Sequence, residues 1–271
     1  MKSAEQEIEA GERFAFGANW QAFLKTLNED RIQIAEESLK ELLLEQDLQG
    51  KTFVDIGSGS GLFSLCARRL GAKVHSFDFD PQSVACTNEL RSRYFPDDED
   101  WVVETGSALD EDYLKSLGKY DIVYSWGVLH HTGDMWQAVE NTLLLTKPDS
   151  KVALAIYNDQ GLRSSFWLQV KKMYCSGTIG RYAMLILFIP YFSLRLVVAS
   201  IIRRRNEFAT YRRHRGMSAT HDWIDWLGGL PFEVAKTDEI RIFYEVRKFK
   251  LLNIKKTRGL GCNQFMFQRE R

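Results

Sequence analysis

Apolar residues along this chain switch between the short runs of buried strands and the three- and four-residue steps of amphipathic helices. Between residues 20 and 44, Phe23, Leu24, Leu27, Ile32, Ala35, Leu39 and Leu42 keep helical spacing, which predicts one or two helices packed against a sheet. The run "TFVDI" from Thr52 then reads as a strand. Leu62, Leu65, Cys66 and Leu70 follow as the apolar face of a helix that stops at Gly71. "AKVHSFDF" reads as a second strand closing on Asp78, and the alternation continues to about Asn158. Strands alternating with helices imply a mostly parallel sheet covered on both faces, with ligands outside the carboxyl ends of the strands. Near the end, "RKFKLLNIKKTRGLGCNQFMFQRE" predicts two strands joined by a turn around Gly259 and Gly261.

The turn after the first strand carries the chemistry. Asp55 is followed by Gly57, Gly59 and Gly61 at alternate positions, and glycines so placed let the main chain approach a ligand that side chains would block. Asp78, at the tip of the second strand, is placed to accept both hydroxyls of an adenosine ribose. Two rival nucleotide motifs fail on spacing. Leu62 stands where a dinucleotide fingerprint needs its third glycine, and no lysine follows Gly61 as a phosphate-binding loop requires.

At these residues the chain resembles the class I S-adenosylmethionine-dependent methyltransferases, whose first motif is an acidic residue followed by G-x-G-x-G. Later landmarks fall in order: Asp78, "ETGSALD" after strand three, "YDIVYSWGVLHH" as strand four, and "LLLTKPDSKVALAIYND" as helix, turn and strand five. The resemblance covers residues 50 to 160 strongly. It implies an α/β fold with a Rossmann-like seven-stranded sheet, helices on both faces, a closing antiparallel strand pair, and S-adenosyl-L-methionine as cofactor. It further implies that Asp55 orders the loop and the methionyl end, and that Gly57, Ser58, Gly59 and Gly61 form the cradle. Asp78 would hold the ribose and Phe79 would stack on adenine. Ser107 and Ala108 stand where many relatives hold adenine with an aspartate, a departure from the pattern. The backbone at Ser125 and Trp126 would face the methionine part.

Four segments are expected: a helical leader (1–48), the cofactor-binding core (49–160), a helical insert or lid (161–235), and a C-terminal helix with the strand pair (236–271). The insert is the unusual part. Residues 183–202 are apolar on nearly every side, long enough for a membrane span, yet they contain Pro190 and Arg195 and are followed by Arg203, Arg204, Arg205, Arg212, Arg213 and Arg215. A mid-bilayer charge costs roughly 2.5–3.5 kcal/mol on insertion scales. Three readings stay open: a lid or homodimer contact, a helix on a membrane surface or against a lipid-like substrate, and a true span.

On the acceptor side, His130 and His131 directly follow strand four, and either imidazole is a candidate base near neutral pH. The same "LHH" equally suits a helix entry. His221 and Asp222 lie beside Trp223 and Trp226, a mixture that lines a pocket or anchors the insert. Tyr157, Asn158 and Asp159 follow strand five, and Phe14, Phe16, Asn19 and Trp20 are placed to close over the cofactor. Lysine plus arginine and aspartate plus glutamate each number 36, so no global basic field for nucleic acid exists. Asn/Asp-Pro-Pro-Tyr after strand four and Pro-Cys are both absent, which disfavours nucleobase methylation. The four cysteines are scattered, with no metal-ligand spacing, and an acidic "MKSAEQEIEAGE" is unlike an export signal. The expectation is a cytoplasmic methyltransferase, with membrane association an open alternative, acting on a small, hydrophobic or glycolipid-like acceptor by O-methylation. C-methylation of a quinone-like ring and a noncatalytic binding module remain as alternatives.

Overall fold

The computed structural model describes residues 2–204, 219–257 and 259–271. Seven strands, β1 (Thr52–Ile56), β2 (Lys73–Asp78), β3 (Trp101–Thr105), β4 (Tyr120–Trp126), β5 (Thr146–Tyr157), β6 (Phe249–Lys255) and β7 (Cys262–Arg269), form one sheet in the order β3-β2-β1-β4-β5-β7-β6. The first five are parallel, while β7 runs antiparallel between β5 and β6. Connections depart in opposite directions from β1 and β4, which makes the carboxyl ends of these two strands the switch point where such sheets bind ligands.

Successive strand residues point to opposite faces, and this divides the core into two apolar layers. Phe53 packs with Leu39, Leu43, Leu65 and Trp101 on one side. Its neighbour Val54 packs with Val123, Leu129, Leu154 and Tyr244 on the other. The first side is covered by α3 (Glu29–Leu43), α4 (Leu62–Arg69) and α5 (Pro81–Tyr94). Their starts are chemically marked: the Asn28 side chain accepts from Arg31 N–H, and the Asp80 side chain caps α5 with Pro81 in its first turn. The second side is covered by α6 (Glu111–Ser116), α7 (Met135–Asn141) and α11 (Thr237–Glu245).

Two expectations need adjustment. Strand four stops at Trp126, and "LHH" forms a separate 3-10 turn, Leu129–His131. The leader is also more than sheet cover. After α1 (Ala4–Glu9), α2 (Phe16–Leu24) packs on α5 and lies above the glycine turn rather than against the sheet.

The insert contains α8 (Leu162–Cys175), α9 (Thr178–Arg203) and α10 (Ala219–Gly228). They share a separate apolar cluster of Trp167, Tyr174, Met184, Phe188 and Leu227. From α10 the chain returns beside the tip of β5, where Asp159 N–H donates to Ala235 O at 3.1 Å.

Candidate active site

The glycine turn is built from beneath and from beside. Asp55 is buried under it, accepting from Ser64 Oγ at 2.5 Å; Ser76 Oγ donates to Ser64 Oγ at 2.8 Å, and Trp101 Nε1 donates to Ser76 Oγ at 2.9 Å. Burial pushes the Asp55 carboxyl up to about 7, Ser64 opposing and the Asp78 charge adding to the rise. Gly57 has φ 77°, and a Cβ there would lie 2.3 Å from Val128 Cγ1, so the turn after β1 can sit against the loop after β4 only as glycine. At Gly59 a Cβ would stand 3.0 Å from the indole nitrogen of Trp20. Ser58 Oγ is 2.9 Å from Thr87 Oγ1, which ties the turn to α5, and Gly61 packs against the same threonine.

Asp78 stands at the tip of β2 with both oxygens engaged by backbone: Oδ2 accepts from Gly59 N–H and Oδ1 from Asp80 N–H, each at 2.9 Å. Burial pushes this carboxyl up to about 6 against those two donors. Each oxygen keeps a second lone pair for a ribose hydroxyl. The carboxylate is therefore aimed by the main chain of the turn it serves.

Phe79 lies beneath the Arg13 guanidinium, 4.9 Å from its centre to the ring. Arg13 also donates through Nη1 to His131 O at 3.0 Å and pairs through Nε with Glu7 at 2.6 Å. It links the tip of β2 to the turn after β4, a role that no local sequence signal marked. Close by, Gly17 N–H donates to Asp80 Oδ2 at 3.1 Å, and the Phe16 ring lies 5.0 Å from His131. Of the leader's aromatic residues, Trp20 lies on the turn at Gly59, whereas Phe14 packs against Gly228 and the Trp167 cluster.

The remaining cofactor-side candidates divide. Ser107 and Ala108 follow β3; Ser107 Oγ accepts from Leu109 N–H at 3.1 Å, and Ala108 O accepts from Asn141 Nδ2 at 2.9 Å. Ser125 is fully buried and its hydroxyl donates to Ile56 O at 3.0 Å, so that side chain ties β4 to β1. Trp126 is partly exposed at the tip of β4, its ring 6.1 Å from Phe63.

On the acceptor side the two histidines are brought together with Tyr157 in one aromatic stack. The His130 ring lies 3.9 Å from Tyr157 and 4.5 Å from His131. The expectation of a base titrating near neutrality meets a physical correction here. Burial holds His130 well below the ordinary histidine range and takes His131 down to about 3. His130 Nδ1 accepts from Tyr157 N–H at 3.3 Å, which leaves the proton on Nε2, and that atom has no hydrogen-bond partner. His131 Nδ1 donates to Pro231 O at 2.5 Å, which leaves a lone pair on Nε2.

Lys171, on α8, is fully buried behind them. Its ammonium donates to Trp226 O and faces the rings of Trp226 and Phe232 at 4.4 and 4.8 Å. Its sequence context, an amphipathic helix, gave no hint of this. His221 and Asp222 fall in the first turn of α10, and their side chains lie outside the described residues. Beside the tip of β5 a cleft of about 500 Å³ opens between Asp159, Leu162, Ser165, Leu168, Phe232 and Glu233. Among the described residues no cluster of histidine, cysteine or carboxylate side chains suits a metal ion.

A parallel sheet with its switch point at a glycine turn, an aspartate at the tip of β2 and an antiparallel closing strand define an adenosylmethionine-type methyltransferase architecture. Residues 27–214 match the family model described as "Methyltransferase domain", well over half of the chain, and the chain belongs to that family. The ubiquinone biosynthesis O-methyltransferase of Escherichia coli is 33% identical over 116 residues, 42% of this chain and 46% of that enzyme. The chain thus spans about half the length of the curated relatives it matches. Among solved structures, magnesium protoporphyrin IX methyltransferase from Synechocystis PCC 6803 with bound SAH aligns at TM-score 0.53 and 16% identity, over 91% of this chain and 86% of that one. An O-methyltransferase family protein from Burkholderia thailandensis aligns at TM-score 0.54 and 10% identity, over 88% and 57%. At such identities these two bear on the fold alone. The cofactor of the family is S-adenosylmethionine, and the residues present fit it: a turn closed to side chains at Gly57 and Gly59, beside a carboxylate with free lone pairs.

Proposed function

We propose that this protein transfers a methyl group from S-adenosylmethionine to an oxygen of a small, largely hydrophobic acceptor. The observation that carries the reading is the meeting, across the β1–β4 switch point, of the glycine turn and Asp78 with the buried His130–His131–Tyr157 stack. The pairing of Gly57 with Val128 brings the two halves together. The preference for oxygen draws support from the O-methyltransferase relative, and the hydrophobic acceptor from the aromatic walls of Tyr157, Trp226 and Phe232.

In this reading Asp78 holds the ribose, Gly57, Ser58, Gly59 and Gly61 cradle the cofactor, and Asp55 braces the turn from below. Phe79 and the Ser107–Ala108 backbone flank the adenine. Bound S-adenosylmethionine supplies a methyl group already activated by a sulfonium, so the protein's main task is to hold an acceptor in line, worth on the order of 7–11 kcal/mol. His130 offers its Nε2 proton as a donor to the acceptor. His131 offers the Nε2 lone pair to the acceptor hydroxyl. A weakly basic imidazole suffices there, because an alcohol or phenol oxygen becomes strongly acidic as it gains a methyl group, and its proton then passes to Nε2. The insert forms the outer wall of the acceptor site, and the enzyme works in the cytoplasm or at a membrane surface.

The test is turnover with methyl-labelled cofactor on a panel of phenols, carboxylic acids and isoprenoid-tailed rings, with products analysed by mass spectrometry. Release of the label by hydriodic acid identifies an O-methyl product. Label that resists cleavage would place the methyl group on carbon and reject the oxygen assignment. No transfer to any extracted small molecule would reject the reading altogether.

A further inference from the structure

The outer face of α9 is apolar and uncovered along its whole length. Ile179, Ile186, Leu194, Val197 and Ile201 recur at helical spacing on one side, and Ile179, Ile186 and Ile201 are 87, 74 and 70% exposed. The opposite side supplies Met184, Phe188 and Phe192 to the cluster with Trp167 and Trp223. A contiguous apolar surface of this size marks an interface. The chemistry around it states what kind. Residues Thr178–Arg203 contain no aspartate or glutamate, and residues 203–215 hold six arginines and a single acid, Glu207, in a chain whose charges balance overall at 36 each. Arg203 and Arg204 are exposed at the helix end.

Topology decides how such a helix meets lipid. It is long and apolar enough to cross a membrane by length and composition, about 39 Å at 1.5 Å per residue. Yet α8 before it and α10 after it both pack in the same cluster and both connect to the same sheet. A single crossing would leave α8 and α10, which pack on each other, on opposite sides of the bilayer, and would bury Arg195 at roughly 2.5–3.5 kcal/mol. Lying in the plane of the interface avoids that cost: the apolar stripe sinks to the acyl boundary and the arginines stay among headgroups.

We infer that the outer face of α9, with Arg203 and Arg204 at its end, docks this protein flat on an anionic lipid bilayer. On α8, Phe166 and Leu162 are exposed as well, and Leu162 stands at the rim of the cleft beside β5. Docking by this face stands independently of the methyl-transfer reading, since it needs neither cofactor nor acceptor.

The experiment is flotation of the full chain with phosphatidylcholine vesicles, with and without roughly one third phosphatidylglycerol, at low and high salt. The expected result is binding to the anionic vesicles, weakened by salt, with little binding to neutral ones. Ile186→Asp/Leu194→Asp/Ile201→Asp should lose at least about a hundredfold in partitioning. Arg203→Gln/Arg204→Gln should lose on the order of tenfold. All three positions of the aspartate variant are exposed, and an unchanged thermal melt certifies its fold. Failure of the folded wild type to float, equal binding to neutral vesicles, or unaltered binding of the aspartate variant would each overturn the inference. So would a wild-type dimer in sedimentation velocity that the aspartate variant dissociates, which would assign the face to a second copy.

Discussion

Asp78 gives the sharpest test of the cofactor site because the carboxylate that anchors the turn is the one proposed to hold the ribose. In Asp78→Asn the amide NH2 must replace one oxygen that now accepts from Gly59 or Asp80 N–H, so one backbone donor loses its partner and the turn loses an anchor. Hydrogen bonds to a charged acceptor are worth about 1.5–3 kcal/mol and neutral ones about 0.5–1.5, so two ribose contacts lose about 2–3 kcal/mol, roughly 30- to 160-fold in affinity. The wild-type pH dependence follows from the same group. A ribose hydroxyl donates to the ionised form, and burial raises this carboxyl to about 6, so affinity should be full above pH 7 and about tenfold weaker at pH 5. Asp55, raised to about 7 by burial and by the charge on Asp78, adds a shallower dependence that survives in Asp78→Asn. Titration calorimetry with S-adenosylmethionine between pH 5 and 8 measures both effects. A folded Asp78→Asn variant within threefold of the wild type at pH 8, or a wild-type affinity flat over this range, would refute the assignment.

Substitutions at three further positions carry the other expected outcomes. His131→Gln should lower turnover about 10²-fold with cofactor affinity preserved, and wild-type turnover should show no histidine inflection between pH 5 and 8 from either imidazole, checked by initial rates. The same variant probes linkage: the folded His131 pKa is depressed, so its contribution is complete above about 6.5 and is lost as pH falls toward about 3. The stability difference between wild type and His131→Gln should therefore shift by about 2 kcal/mol in favour of the variant from pH 8 to pH 5, measured by urea unfolding. Gly57→Ala should cost at least about 1–2 kcal/mol from the positive φ alone, plus the clash with Val128; adding Val128→Ala should recover only the clash, read from melting curves. Trp20→Ala should uncover Gly59 and speed cofactor dissociation in stopped-flow fluorescence, while an unchanged off-rate would mean that α2 does not gate the site.

What was legible in the sequence was local. The β1–turn–α4–β2 unit follows from an apolar run, three alternating glycines and a helical stripe, each a short-range consequence of backbone conformation and burial. The place of Asp78 follows from strand length. What escaped depended on distant partners. Arg13 reaches the carbonyl of a residue 118 positions away, and the His131 tautomer is set by a carbonyl 100 positions away. Residue type showed two histidines after β4; only the fold shows that burial disarms their ordinary titration. The Ser125 hydroxyl is likewise committed to a distant carbonyl, that of Ile56. The resemblance marked the loop and the strand tips, but it was strong only over residues 50 to 160, and the packing of the segment beyond had to be read from the structure.

The segment from Arg13 to Trp20 touches everything the reaction would need to bring together. Phe14 N–H donates to Leu230 O at the return of the insert, Gly17 N–H reaches the cap of α5, and Trp20 rests on the glycine turn. Two ligands that press on one such strap share its conformational equilibrium. Whatever factor bound cofactor gains for the acceptor by settling the strap, bound acceptor must return to the cofactor, because the coupling free energy belongs to the pair.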